Sequence, residues 1–260
     1  MTPPLWTLLF YQGVMYGSAV VTLLTLVLRS RNVSLWLGRA TAVMILALWA
    51  IRWWIAGHLP MFGAYESALS LCAFGGAILL VMDYYARRPY LAVFPPVAAV
   101  LLFHGSRYSS NLWALTISER GFWVHIHALA AFVTFGVALV VLADAVMLLS
   151  RREFPLRRDL LALFCMDSLM IISGSFYRFL LFGKAWSFDP IESMNLAVWL
   201  ALATLIHMGT FRQWSSRKMA LWALFVLVLL VLAYRLILIF PAWSSYHILD
   251  IDLRMHILPK

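Results

Sequence analysis

Charge is scarce in this chain. Asp, Glu, Lys and Arg make up 12% of the 260 residues, against about 25% in a soluble globular domain. Such a chain cannot cover a water-facing surface with charge, which excludes a soluble fold. Cysteine is nearly absent: Cys72 and Cys165 both lie inside apolar stretches. They read as core thiols and exclude a disulfide framework or a thiolate metal motif. Residues 1–28 lack the basic start and small-residue cleavage site of a signal peptide, so they read as a retained first span. Acidic residues number 11 against 20 basic ones, a net charge of +9. In an apolar chain that excess is the Lys/Arg bias that fixes membrane topology, and no nucleic-acid partner is implied. No nucleophile with its base, no phosphate loop and no closed metal-ligand set is visible, so the sequence alone identifies no catalytic centre.

What the chain has instead is apolar length. Hydrophobic residues make up 64% of it, and the mean hydropathy is +0.89. A membrane-spanning helix needs about 20 apolar residues. The sequence offers a series of such stretches: 5–28, 35–55 (with Ser34 as a possible N-cap), 67–82, 91–103, 122–149, 160–181, 194–211 and 219–240. The fourth is short and carries Pro95-Pro96, which predicts a kink or a partly re-entrant segment. Connections are short, leaving no room for a soluble domain. The expectation is an all-α, polytopic membrane protein of about eight transmembrane helices, a single membrane domain over residues 1–260.

The basic residues sort by side. Arg29, Arg31, Arg39, Arg87, Arg88, Arg151, Arg152, Arg157, Arg158, Arg212, Arg217 and Lys218 follow the first, third, fifth and seventh spans. The positive-inside rule puts these loops in the cytoplasm, with both termini on the opposite side. That opposite side carries the unusual chemistry: residues 51–66, 104–121, 178–192 and the tail after Pro241. Trp53, Trp54, Trp113, Trp123, Trp186 and Trp243 lie there, in part an interfacial belt. Every histidine but His207 lies there too.

The histidines differ in promise. His58 reads as a solvated loop residue, His104 as a polar helix end and His256 as solvated. His125 and His127 are two residues apart at the start of the fifth span, about 200° around a helix, so at most one serves a given site. His207 lies inside the seventh span. Ionisable residues at membrane depth are costly and point to function, although a bond to a neighbouring helix is the plain alternative. His247 follows the last span. Imidazole is a common ligand of haem iron; two outer histidines, one opening the fifth span and one following the eighth, can hold one iron from both sides. Arg178 or Lys184 can pair with propionates, or simply snorkel. No CxxCH is present, so the chain does not attach haem to itself.

The segment 174–193, GSFYRFLLFGKAWSFDPIES, resembles without gaps the tryptophan-rich "WWD" segment of CcsA-type (CcsA/ResC, system II) cytochrome c biogenesis proteins, G-x-x-W-x-x-x-x-W-G-x-Y-W-x-W-D-P-K-E. Gly174, Gly183, Trp186, Asp189, Pro190 and Glu192 match. Residues 57–71 resemble the family's GH-x-P and YES elements, and Trp123 to His127 its W-L-x-x-H motif. The resemblance covers roughly Trp53 to His247. It implies a multi-pass protein of the inner (cytoplasmic) membrane that binds haem b and works on the periplasmic side. His127 and His247 are then the outer ligands of haem iron, and His207 the intramembrane one. Tyr177, Arg178, Trp186, Phe188, Asp189 and Glu192 belong to the haem-binding segment. It also implies delivery of haem to apocytochrome c, a CcsB/ResB-type membrane partner, and membership of a cytochrome c–haem lyase. Tyr177, Phe182 and Phe188 stand where the pattern has tryptophan, Ala185 where it has tyrosine, and Ile191 where it has lysine. These changes keep aromatic area and lose indole N–H donors. They leave two other readings open: a b-haem subunit passing electrons between quinol and outer c-type cytochromes, and a scaffold without haem. For Asp189 and Glu192, capping the seventh helix is an equal alternative to contact with haem.

Overall fold

The computed structural model describes residues 2–28, 30–150 and 156–239. Among these, eight α-helices follow in order: α1 (Leu5–Leu28), α2 (Arg31–Ala56), α3 (Ala64–Ala86), α4 (Phe94–Gly105), α5 (Phe122–Leu149), α6 (Leu156–Phe182), α7 (Pro190–Phe211) and α8 (Ser216–Ile239). All except α4 contain a stretch long and apolar enough to cross a membrane. Backbone polar groups in lipid must be satisfied within the segment, and helices achieve this. The chain is a polytopic, all-α membrane protein. It divides into two compact units, one up to Glu119 and one from Arg120.

In the first unit α1 to α4 pack together. The fourth span differs from expectation. Pro95 and Pro96 fall in the first turn of α4, where a missing N–H breaks no intrahelical bond, so they start the helix and do not kink it. A short 3-10 turn, Tyr90–Val93, precedes it. Leu91 lies against Gly38 near the start of α2, while Gly105 lies against Tyr11, Ala68 and the Tyr65 carbonyl. Gly38 is obligatory here, because a Cβ would stand 2.1 Å from the Leu91 carbonyl oxygen. Ser34 is not the cap of α2 either. The N-cap is Ser30, and Ser34 lies within the first turn, donating to the Ser30 carbonyl.

Ion pairs pin both ends of this unit. Arg39 Nε donates to Asp83 at 2.8 Å. At the other end the buried Arg52 donates through Nε and Nη2 to Glu66 Oε1 at 3.0 and 2.8 Å. Its remaining N–H groups reach the Ser110 and Asn111 carbonyls at 2.8 and 3.0 Å, tying down the segment after α4. His58 is not solvated: its two ring nitrogens lie 3.0 Å from the carbonyls of Leu59 and Trp113. His104 ends α4 as expected. Of the two cysteines Cys72 is buried, but Cys165 is exposed on α6.

In the second unit α5 packs along α6 and α8, and α7 along α6 and α8. An apolar core runs through it, including Val141, Leu160, Leu163, Leu202, Ala220 and Ala223, all at most 1% exposed. Trp199 Nε1 donates to Ser168 Oγ at 2.8 Å, joining α7 to α6.

Candidate functional site

The site residues described in the structure all belong to the second unit. They fall into three groups: the facing ends of α5 and α6, the connection from α6 to α7, and the far end of α7. His247 and His256 lie outside the described residues.

At the start of α5 the two neighbouring histidines part as helical geometry demands. His125 turns back on its own helix, with Nδ1 2.9 Å from the Gly121 carbonyl. His127 turns to α6, with Nδ1 3.1 Å from the Met170 carbonyl. A carbonyl only accepts, so His127 carries its proton on Nδ1. The ring fits over Gly174, where a Cβ would lie 2.7 Å from its Cε1. One turn before His127, Trp123 packs edge-on against Phe176 of α6, with ring centroids 4.4 Å apart. Phe176, Phe179 and Phe182 are exposed at the end of α6. An aromatic and apolar surface therefore adjoins the half-buried His127.

The α6–α7 connection is held by buried charge. Arg178, 8% exposed, pairs with Glu192, 10% exposed, at 3.0 Å. The second oxygen of Glu192 accepts from the Ser187 N–H at 2.8 Å and from its hydroxyl at 3.1 Å. Asp189 is the N-cap of α7, accepting from the Ile191 N–H at 2.8 Å. An acidic N-cap with an acidic residue three positions on is a helix-start signature. Here the second acid turns to the preceding loop. Of the two acids, Asp189 caps the helix and Glu192 does not; Arg178 faces inward onto Glu192. Trp186 is half-buried and stands 6.4 Å from the ring of Phe188. Phe188 is 77% exposed and sits in a left-handed conformation at φ 57°. Tyr177 is half-buried on α6.

His207 lies one turn from the end of α7, exposed, with its ring 4.7 Å from that of Phe211. Ala197, Leu200, Thr204, His207 and Phe211 are all exposed. They recur at the 3.5-residue spacing of a helix–helix seam, so the intramembrane histidine belongs to an open stripe. The expected alternative, a bond from His207 to a neighbouring helix, is not seen among the described residues.

Sequence reasoning missed two features. The acceptor for His127 is a main-chain carbonyl, which no residue type announces. Gly174 was visible only as part of a motif; its task of leaving room for a ring needed the α5–α6 register. Two buried acids, Asp144 and Asp167, each 0% exposed, also escaped notice.

No protein-family model matches the chain. Curated relatives do. It is 25% identical to "Cytochrome c biogenesis protein CcsA" of Synechococcus sp. (strain CC9902) over 242 residues, covering 74% of this chain and 79% of the relative. It is 26% identical to the protein of that name from Parasynechococcus marenigrum (strain WH8102) over 234 residues, covering 71% and 76%. For the one from Prochlorococcus marinus (strain MIT 9313) the figures are 24% over 273 residues, 84% and 80%. By sequence, this chain is similar to the CcsA-type cytochrome c biogenesis proteins.

Proposed function

We propose that this protein handles haem in cytochrome c biogenesis, holding it at the outer membrane face and presenting it to apocytochrome c. The observation that carries this reading is the orientation of His127. Metal-ligating histidines characteristically donate their other ring N–H to a carboxylate or backbone carbonyl, which fixes the tautomer. His127 does this through Met170, which leaves Nε2 as the nitrogen with a lone pair for iron. The neighbouring Trp123 and Phe176 offer an apolar surface suited to a flat porphyrin, so the residues fit the cargo. His247 is the proposed second ligand, on the strength of the family resemblance. Trp186, Phe188 and Tyr177 are proposed as further aromatic contacts to haem, on the strength of the family resemblance. Arg178, Glu192 and Asp189 brace the connection that carries Trp186 and Phe188. Bound haem supplies the vinyl groups to which cytochrome c thiols add; the chain's own part is to bind, orient and shield it.

The positive-inside distribution of arginines supports placing this end of α5 and α6 outside the cytoplasm. The open stripe of α7 supports a second membrane protein of the CcsB/ResB type, whose helix covers His207 and completes an intramembrane site.

The test is spectroscopic. Purified protein from haem-replete cells should show a Soret band. His127→Gly should lower haem occupancy by about tenfold or more, the order lost when only an outer-shell partner is removed. Added imidazole should restore it, and His125→Gly should change little. Full occupancy in His127→Gly would remove the ligand assignment. The replaced tryptophans favour a second reading, a subunit that keeps b haem for electron transfer and attaches none. Normal maturation of every c-type cytochrome in a strain lacking the protein would select it.

A further inference from the structure

The geometry points to a positioning device for His127 built into α6: a notch formed by the absent side chain of Gly174 and the carbonyl of Met170. It deepens the preceding reading and rests on His127 being an iron ligand. Gly174 lies inside α6 without a left-handed backbone, so its own conformation does not call for glycine. Helix propensity opposes it, since alanine is the better residue at such a position. The demand comes from across the interface. A Cβ at Gly174 would stand 2.7 Å from His127 Cε1, 2.9 Å from Nδ1 and 3.5 Å from Nε2. The first two distances are shorter than van der Waals contact, and both atoms belong to a ring pinned at Nδ1.

The carbonyl is held as firmly as the ring. Met170 is buried on the α5-facing side of α6, and its oxygen accepts from the buried Ser173 hydroxyl at 3.0 Å as well as from His127 at 3.1 Å. Two side-chain donors on one helical carbonyl oxygen fix where the Nδ1 proton points. Gly174 sets how closely the imidazole approaches α6, and Met170 sets its tautomer and rotation. Together they aim Nε2 before any cargo arrives, as a preorganised ligand requires. Neither is a ligand.

The variant that reads the notch is Gly174→Ala. Propensity alone predicts a helix at least as stable as wild type with haem occupancy unchanged, and that result would overturn the proposal. The notch predicts a loss of occupancy comparable to that of His127→Gly, with no rescue by imidazole, because the native ring still blocks the place an added imidazole must take. A second variant covers the case in which Gly174→Ala folds poorly. Removing the ring removes the clash, so His127→Gly/Gly174→Ala should be as stable in detergent as His127→Gly. A double variant that stays unstable places the conflict elsewhere and rejects the notch. A readout independent of haem separates this idea from the ligand assignment. In haem-free protein with 15N-labelled histidine, His127 should show a protonated Nδ1 and an unprotonated Nε2, and Gly174→Ala should abolish that signature. If it does so while His127→Gly keeps its haem, the notch stands and the ligand assignment falls.

Discussion

Two histidines in the second unit show how differently one fold can treat one residue type. His127 is half-buried, fixed by a carbonyl and fitted to a missing Cβ on the facing helix. His207 is exposed on α7, with its ring beside that of Phe211 on its own helix. The first is preorganised by its own chain. The second sits on a surface seam, where an ionisable side chain in lipid is costly until something covers it. On the proposed function, His127 is a ligand this protein aims alone and His207 one whose geometry a second chain completes.

The contrast can be broken most forcefully from below the aromatic surface. Glu192→Ala removes the carboxylate from a buried guanidinium, a loss of about 3–5 kcal/mol when one partner of a buried pair is deleted. Denaturation in detergent should show that loss, and haem occupancy should fall with it. An unchanged midpoint would mean that the brace does not hold the connection. His207→Gly sharpens the comparison from the other side. In the protein purified alone it should leave occupancy unchanged. When the membrane partner is co-produced, occupancy of the complex should fall by about tenfold, the scale on which metal affinity responds to changes around a ligand. A fall in the isolated protein would show that His207 binds without help. The smallest effect belongs to Ser168→Ala, which deprives Trp199 of its acceptor between α6 and α7. Interhelical hydrogen bonds in membranes average about 0.6 kcal/mol, so the expected change in stability is of that size, with occupancy at His127 untouched.

The architecture was legible wherever it depended on local chemistry. α5 has the bounds that its apolar run predicts, Phe122–Leu149, whereas α7 starts at Pro190, ahead of its apolar run from 194, because Asp189 caps it and proline suits a first turn. Pro95-Pro96 misled because proline has opposite meanings inside a helix and in its first turn, and only the boundary decides between them. At the site, periodicity separated His125 from His127. It could not say which of them faces α6, because that depends on register between helices. His58 read as solvated because its ring nitrogens face main-chain carbonyls, one of them 55 positions away; nothing in a residue's identity advertises its main-chain oxygen. Arg178 and Glu192 were both singled out, yet their pairing spans a turn of chain whose path had to be seen.

The hold that Arg52 and His58 keep on residues 110–113 acts on carbonyl oxygens alone. Every amino acid supplies one, so this strap is written in chain length and not in side-chain identity. Over evolutionary time Ser110, Asn111 and Trp113 can drift while the spacing from α4 stays fixed. A one-residue deletion there should do more harm than exchanging all three side chains.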